Sequence, residues 1–559
     1  MYIRVKTTPN SPKKSVQIVE SKRIGNTVRQ YIVRHVGTAL DEDELKRLRE
    51  LAEYIKSKLE SEASPTLFAP EELAQMSIEA KKKKQASEEE LHVNIKQLRE
   101  EQRIITGIHE IYSEIYNSIG FGKSLGHPQR IVEANRKLFH MVMARIAHPC
   151  SKKESASLLA KDFGVHLSLQ GIYKMMDKLT DERIAFIQKL SYSSALDLFS
   201  EKIDVIFYDC TTLYFESFKE DDLKENGYSK DMKFNQPQVM LALMVTKEGI
   251  PVGYDLYPGS CFEGHTLENA INKLEEKYRI NNLIFVADSA MLSEENLRLL
   301  EKLGKNYIVG ARIKNVNDSI KAQILDKSNY QKLSLNSHSE AEGESVVSID
   351  YHNGRKLYVT YNISRAEKDR YDREKAITKL KQKLLKSKNP KELLSNYGYK
   401  KFIKIVGSST LQLDENQIEE AARWDGLHGI ITNSKTMTIQ QVVEHYHGLW
   451  QIEESFRISK HDLRIRPIFH WTPKRIKAHI AICYMALVCI RHLEHRVKLQ
   501  YQKLSPEVIR NELLHVQLSI LKDIKTGKRY AIPSKPTIHQ KKIYQTLGLK
   551  LCDIPYIIK

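Results

Sequence analysis

Two apolar runs in this chain end on an aspartate. Val205-Ile206-Phe207-Tyr208 leads into Asp209, and Leu283-Ile284-Phe285-Val286-Ala287 leads into Asp288. Each reads as a buried strand that delivers one carboxylate at its C-terminal end, the rim where α/β sheets place their sites. If the strands are neighbours, the carboxylates converge. Two hard oxygen ligands that close suit Mg²⁺ or Mn²⁺, which take few carboxylates plus substrate phosphates. A third acid, Glu453, lies in the segment His445 to Lys460. Tyr446, Glu453 and Lys460 are seven residues apart, so one continuous helix would carry them on one face, drifting about 20° per step. Leu449 and Phe456 would complete an apolar stripe, where a carboxylate needs a metal or a cation. Glu454, about 100° further round, is then the solvent-facing neighbour. The plain alternatives are turn-forming aspartates and a Glu453–Arg457 surface pair.

The surrounding elements are legible from periodicity. Residues 15–37 alternate around Gly25-Asn26, with Val16 and Ile18 on one strand and Val28, Ile32 and Val36 on the other, which predicts a β-hairpin. A helix follows over 41–59. Residues 61–103, with Pro65, Pro70 and the run Lys81 to Lys84, read as a linker. Residues 104–200 read as all-helical. Within them, 152–179 has two short amphipathic stretches around Phe163-Gly164-Val165, a helix-turn-helix pattern and a candidate DNA reader. Strands are predicted at 203–209, 239–246, 250–257, 283–288 and 307–309, with helices at 265–278 and 293–303. The order is β-β-β-α-β-α-β, a mixed sheet with helices on its faces. Residues 311–424 read as an insertion: strands at 346–351 and 357–362, a basic helix at 364–385, and a strand at 402–406 returning to the sheet. A strand at 429–432, a long helix at 439–461 and a helix at 473–496 complete the second part of the core, 425–500. Residues 501–559 are a C-terminal tail.

Charge narrows the partners. Lys and Arg total 88 against 70 Asp and Glu, a net +18, which favours a polyanion. Ile480 to Ile490 is the longest apolar run; it is too short to span a bilayer and reads as a core helix, leaving nucleic acid rather than membrane. The six cysteines (150, 210, 261, 483, 489 and 552) form no CxxC or zinc spacing, consistent with a reducing, cytoplasmic setting. Cys210 reads as a buried thiol and Trp450 as a core residue. No phosphate-binding GxxxxGK[ST] stretch is present.

Taken together, these motifs resemble the DDE transposases of bacterial insertion sequences, in the branch with the signature Tyr-x2-Arg-x3-Glu-x6-Lys. Tyr446, Glu453 and Lys460 match; the Arg position holds Leu449, and Arg457 stands one turn later. The contexts of Asp209 and Asp288 and the turn Gly249-Ile250-Pro251-Val252-Gly253 are also similar. The resemblance spans roughly residues 130–500. It implies an RNase H-like core with a β-rich insertion, preceded by DNA-binding modules. It also implies a catalytic triad of Asp209, Asp288 and Glu453 holding two Mg²⁺ ions, with Mn²⁺ as a substitute. Tyr446, Arg457, Lys460, Arg464 and Arg466 would contact DNA. The implied activity is cleavage at inverted-repeat ends and strand transfer into target DNA, by a homodimer on double-stranded DNA. The alternatives are a non-catalytic domesticated DNA-binding protein and a structure-selective nuclease on the same fold.

Overall fold

The computed structural model describes residues 1–7, 13–24, 27–63, 93–127, 131–199, 203–216, 219–227, 236–261, 266–268, 271, 283–289, 293–333, 344–386, 402–406 and 410–558. The chain forms two compact units, one of residues 1–102, 519–532 and 554–559, the other of 103–518 and 533–553. The lysine run 81–84, and most of the helix expected at 265–278, lie outside the described residues.

In the first unit, β1 (Tyr2–Thr7), β2 (Lys14–Ile24) and β3 (Thr27–Ala39) form an antiparallel sheet covered by α1 (Glu42–Ala63). The expected hairpin is β2–β3, joined by a further strand that pairs Val5 with Val16. Val16 and Ile18 are fully buried, but Val28 and Ile32 are exposed; register shifts at Val16/Gln17 and Ile18/Val19 break the simple alternation across the hairpin. Residues 98–103, expected as linker, and 104–105, expected as the start of the helical region, are a strand, β4 (Leu98–Ile105).

The helical region comprises α2 (Gly107–Ile119), α3 (Val132–Ala147), α4 (Lys152–Phe163), α5 (Leu169–Met176) and α6 (Asp181–Leu198). Ser151 and Ser168 cap α4 and α5, accepting from the amides of Glu154 and Gly171, and Gly164 ends α4 at φ +66°. This is the two-helix pattern read from 152–179.

A nine-stranded mixed sheet dominates the second unit. Its strands are β5 (Val205–Tyr214), β6 (Gln238–Thr246), β7 (Pro251–Pro258), β8 (Ile284–Ala287), β9 (Asn306–Ala311), β10 (Gln331–Lys332), β11 (Ser345–Tyr351), β12 (Arg355–Tyr361) and β15 (Leu427–Thr432). The spatial order is β10-β11-β12-β15-β9-β8-β5-β6-β7. β5, β8 and β9 run parallel, and the other described pairings are antiparallel. The strands between 331 and 361 therefore extend the core sheet instead of building a separate β layer. Helices α7 (Glu294–Lys302) and α8 (Asp318–Leu325) lie between these strands in sequence.

The basic helix α9 (Ile363–Lys386) is followed by a hairpin, β13 (Ile403–Val406) and β14 (Thr410–Leu413), and by α10 (Glu415–Ala422). β13 was expected to return to the main sheet, but among the described residues it pairs with β14 alone. A small core of Leu380, Phe402 and Ile403, packed by Leu411 and Ile418, holds it there.

The long helix expected over 439–461 is broken into α11 (Ile439–His447), α12 (Trp450–Arg457) and a π-helical turn at Ile458–Asp462. Helix α13 (Pro473–Gln500) is long and apolar enough to cross a membrane, yet 94% of its most apolar window is buried within the protein, as the core-helix reading expects. The region after 500 contains α14 (Pro506–Leu514), β16 (Gln517–Asp523), β17 (Arg529–Pro533), α15 (Ile538–Thr546) and β18 (Tyr556–Ile558). A four-stranded sheet has the order β18-β17-β16-β4.

Candidate active site

Tyr208 pairs with Ala287 in the parallel ladder of β5 and β8. Asp209 and Asp288 are the next residues on each strand, so their backbones are neighbours at about the 4.8 Å strand spacing. They also share a face. Val205 and Phe207 on β5, and Val286 on β8, belong to one core cluster, whereas Ile206, Tyr208, Phe285 and Ala287 belong to the cluster on the opposite face. Alternation then places Asp209 and Asp288 on the face of Phe207 and Val286. Asp288 sits where β8 ends, as expected. Asp209 does not sit at a strand end: β5 runs on to Tyr214, paired with β6. What ends at Asp209 is the parallel pairing to β8, because that strand is only four residues long. Each carboxylate accepts the amide of the following residue, Cys210 at 2.7 Å and Ser289 at 2.6 Å. Asp288 is exposed and Asp209 half-buried.

Helices α11 and α12 pack on this same face through Val442, Val443, Tyr446, Leu449, Ile452 and Phe456. Thr438 and Gln441 form a capping box that starts α11. Gly448 lies between the helices because a Cβ there would come within 2.6 Å of the Phe207 ring. The break changes which side chains face inward. Tyr446, Leu449 and Phe456 are buried, while Glu453 is exposed, so Glu453 does not share their stripe as a continuous helix would require. Glu454, expected in solvent, is half-buried. It holds Arg457 through two hydrogen bonds of 2.7 Å, which pull its carboxyl below the usual range.

Tyr446 links the aspartates to Glu453. Burial first, and then the Asp288 and Glu453 carboxylates, push its phenol well above the ordinary value. Its hydroxyl rests on Gly310 of β9: a Cβ at Gly310 would meet Tyr446 Oη at 2.5 Å and Ser289 N at 3.1 Å. Gly310 thus seats the tyrosine beside the Asp288 turn, a role that no spacing in the sequence revealed. A Gly310→Ala variant is expected to lose about 1–3 kcal/mol of stability by overpacking. Adding Tyr446→Phe removes the clashing oxygen and should recover at least half of that loss. Denaturant melts of the two variants measure it, and no recovery in the double variant would refute the seat.

The His428 ring lies 5.0 Å from that of Tyr446. Burial, followed by the Arg365 and His447 charges, holds His428 down at about 4, so it is neutral near pH 7. Arg365 is brought here by the start of α9, where Asn362 accepts the Arg365 amide at 3.1 Å and donates its own amide to Gly426 O at 3.1 Å.

The remaining expected residues fall into two groups. Arg457 is committed to Glu454 and lies 3.5 Å from Asp462. Lys460 is half-buried in the π-helical turn, Arg464 is exposed at φ +45°, and Arg466 lies over the Tyr214 ring at 5.3 Å. Cys210 is buried, as expected, near Thr266 and Tyr208. Trp450, expected in the core, is 48% exposed beside Lys503, because it opens α12 at the break. In the helix-turn-helix candidate, Tyr173 and Asp177 are engaged by Arg475, through its guanidinium 4.7 Å from the ring and a two-bond pairing to the carboxylate.

Among the described residues no group of three His, Cys, Asp or Glu is close enough to hold a metal ion; the structure brings the two aspartates together and leaves Glu453 outside such a cluster. Two carboxylates facing one way still fit Mg²⁺, which is commonly held by one or two carboxylates plus substrate phosphates.

No curated protein sequence matches the chain. Among solved structures it is similar to piggyBac transposase in a synaptic complex with hairpin DNA, at 10% identity over 73% of this chain and 77% of that one, with a TM-score of 0.36. It is also similar to Mos1 transposase in a paired-end complex with the left transposon end, at 15% identity and a TM-score of 0.14, covering 28% of this chain and 53% of that one. A family model described as the transposase DDE domain matches residues 200–489. That match takes in both aspartates, the Tyr446 seat and the Glu453 helix, and covers more than half of the sequence: the chain belongs to the DDE transposase family.

Proposed function

We propose that the protein is a DNA transposase that cleaves DNA at the ends of a mobile element and joins those ends to target DNA. The observation that carries this reading is the adjacency of Asp209 and Asp288, the residues that follow the last ladder pair Tyr208–Ala287 where β5 and β8 part, on the face covered by the Glu453 helix. The order β7-β6-β5-β8-β9, with three antiparallel strands followed by parallel ones, fits an RNase H-like core.

Asp209 and Asp288 would hold Mg²⁺ or Mn²⁺, with Glu453 completing the set. Such ions, when bound, lower the pKa of water and neutralise charge on the transferring phosphoryl group. The chain's own residues do the rest. The Tyr446 phenol stays protonated through the physiological range and can donate a hydrogen bond beside Asp288. Lys460, Arg464 and Arg466 hold backbone phosphates and align the scissile one. Joining two ends in one reaction calls for two active sites, hence a homodimer on DNA.

The test is cleavage of DNA carrying the flanking inverted repeats, with Mg²⁺, by wild type, Glu453→Gln and Glu454→Gln. Glu453→Gln should lose cleavage, and Glu454→Gln should stay within about tenfold of wild type, because its Arg457 pair is structural. The reverse pattern would overturn the assignment. Cutting without strand transfer, and without preference for the repeats, would identify a structure-selective nuclease instead.

A further inference from the structure

The loop between the π-helical turn and α13, residues 463–472, combines two properties that rarely coexist. It is anchored along its length, and it presents large aromatic side chains to solvent. Leu463 O accepts Arg145 Nη1 at 3.3 Å, and Ile465 O accepts His479 Nε2 at 3.1 Å. Ile465 N donates to Ser459 O at 2.9 Å. Ile468 bridges to Phe215 just past the end of β5, and Trp471 O accepts Lys224 Nζ at 3.1 Å. His470 packs edge-on against Tyr173. Yet Phe469 is 62% and Trp471 76% exposed. Burying such side chains would contribute roughly 1.5–3 kcal/mol each, so an anchored loop that leaves both outside forgoes that gain.

The electrostatic setting indicates what covers them. No acidic residue occurs from Leu463 to Leu493. Arg464 and Lys474 are exposed on either side of the aromatics. Arg475 and Lys477, by contrast, are engaged by Asp177 and Asp181 at 2.9 Å each. Exposed aromatics flanked by cations form a platform on which bases stack while the backbone is neutralised. The platform also has a fixed relation to the aspartates, because Phe215 lies on the continuation of the strand that carries Asp209. Six residues of strand, from Asp209 to Phe215, span roughly 20 Å.

We propose that Phe469 and Trp471 form a stacking clamp for unpaired bases of the DNA strand whose phosphate is presented to Asp209 and Asp288, beyond the end of the strand that carries Asp209. This rests on the reading of the protein as a DNA transposase. It adds a single-strand grip that a duplex-only contact lacks.

The test uses the full chain and a labelled mixed-sequence DNA of about twenty nucleotides, single-stranded or annealed to its complement, read by fluorescence anisotropy. The Phe469→Ala/Trp471→Ala variant should bind the single strand about tenfold or more weakly than wild type and the duplex within about twofold. Trp471→Phe keeps an aromatic face and should retain most of the single-strand affinity. Thermal melts check that the variants fold; both side chains are exposed, so Tm should not move. If the double variant binds the single strand like wild type while cleavage persists, the clamp is refuted and the transposase reading stands. Equal loss on single strand and duplex would also refute it, in favour of an ordinary duplex contact. If wild type binds neither DNA, the functional reading falls and the clamp with it.

Discussion

Replacing Asp209 by Asn is expected to lower Mg²⁺-dependent DNA cleavage by about 10³-fold, corresponding to about 4 kcal/mol of transition-state stabilisation. DNA affinity should remain at the wild-type level or rise. The substitution is nearly isosteric. The Asn carbonyl oxygen can still accept the Cys210 amide that Asp209 Oδ1 accepts now, so the local backbone is preserved. What disappears is one negative charge at the position adjoining Asp288. That removes half of the paired carboxylate site, while relieving repulsion towards a DNA phosphate. Affinity and catalysis should therefore separate, which a merely structural aspartate would not produce. Cleavage within about tenfold of wild type would remove Asp209 from the site. A parallel loss of affinity, with a lowered Tm, would reassign it to folding.

The second large effect concerns stability. Arg355 opens β12 and is among the largest fully buried side chains. Burial opposes its charge, but Glu301 and Glu294 more than offset that and hold its pKa above the ordinary value. Arg355 Nε donates to Glu301 Oε1 and Nη1 to Glu294 Oε2, both at 2.7 Å. The Tyr307 hydroxyl also donates to Glu301 at 2.7 Å. One guanidinium thus ties α7 to β12 and, through Tyr307, to β9. Arg355→Met should cost about 3 kcal/mol, the lower end of the range for breaking a buried pair. The two glutamates are 41% and 28% exposed, so water partly compensates them. Arg355→Lys should recover little, because a single ammonium cannot make the forked contacts to both acids. Denaturant unfolding read by tryptophan fluorescence, the three tryptophans all lying in the same unit as Arg355, would measure the loss; a change below about 0.5 kcal/mol would contradict this account.

Much of the candidate site was legible because its signals are local. The short apolar runs ending at Asp209 and Asp288 read as buried strands, and the ladder register, whose last pair is Tyr208–Ala287, makes the backbones of the two aspartates neighbours. The same holds for α13, whose apolar stretch was correctly read as core, and for the capped helices α4 and α5. The family resemblance carried by Asp209, Asp288 and the Tyr446–Lys460 segment agrees with the domain match over 200–489.

What the sequence could not decide depends on contacts between distant residues. Seven-residue spacing implies a shared face only on an unbroken helix. Phe207, more than two hundred residues earlier, packs where a side chain at position 448 would stand; the helix is interrupted at that glycine, and beyond it Glu453 is exposed while Glu454 pairs with Arg457. The strands at 345–361 look like an insertion because they interrupt the βα rhythm. They are core strands because β15 pairs with β12 on one side and β9 on the other. The end of β8, not the end of β5, sets where Asp209 becomes available. Local sequence therefore determined which residues are strand, helix and candidate ligand. Tertiary packing alone decided which way each acid points, since side-chain direction across a break, and pairing across a hundred residues, are properties of the assembled core and not of any segment.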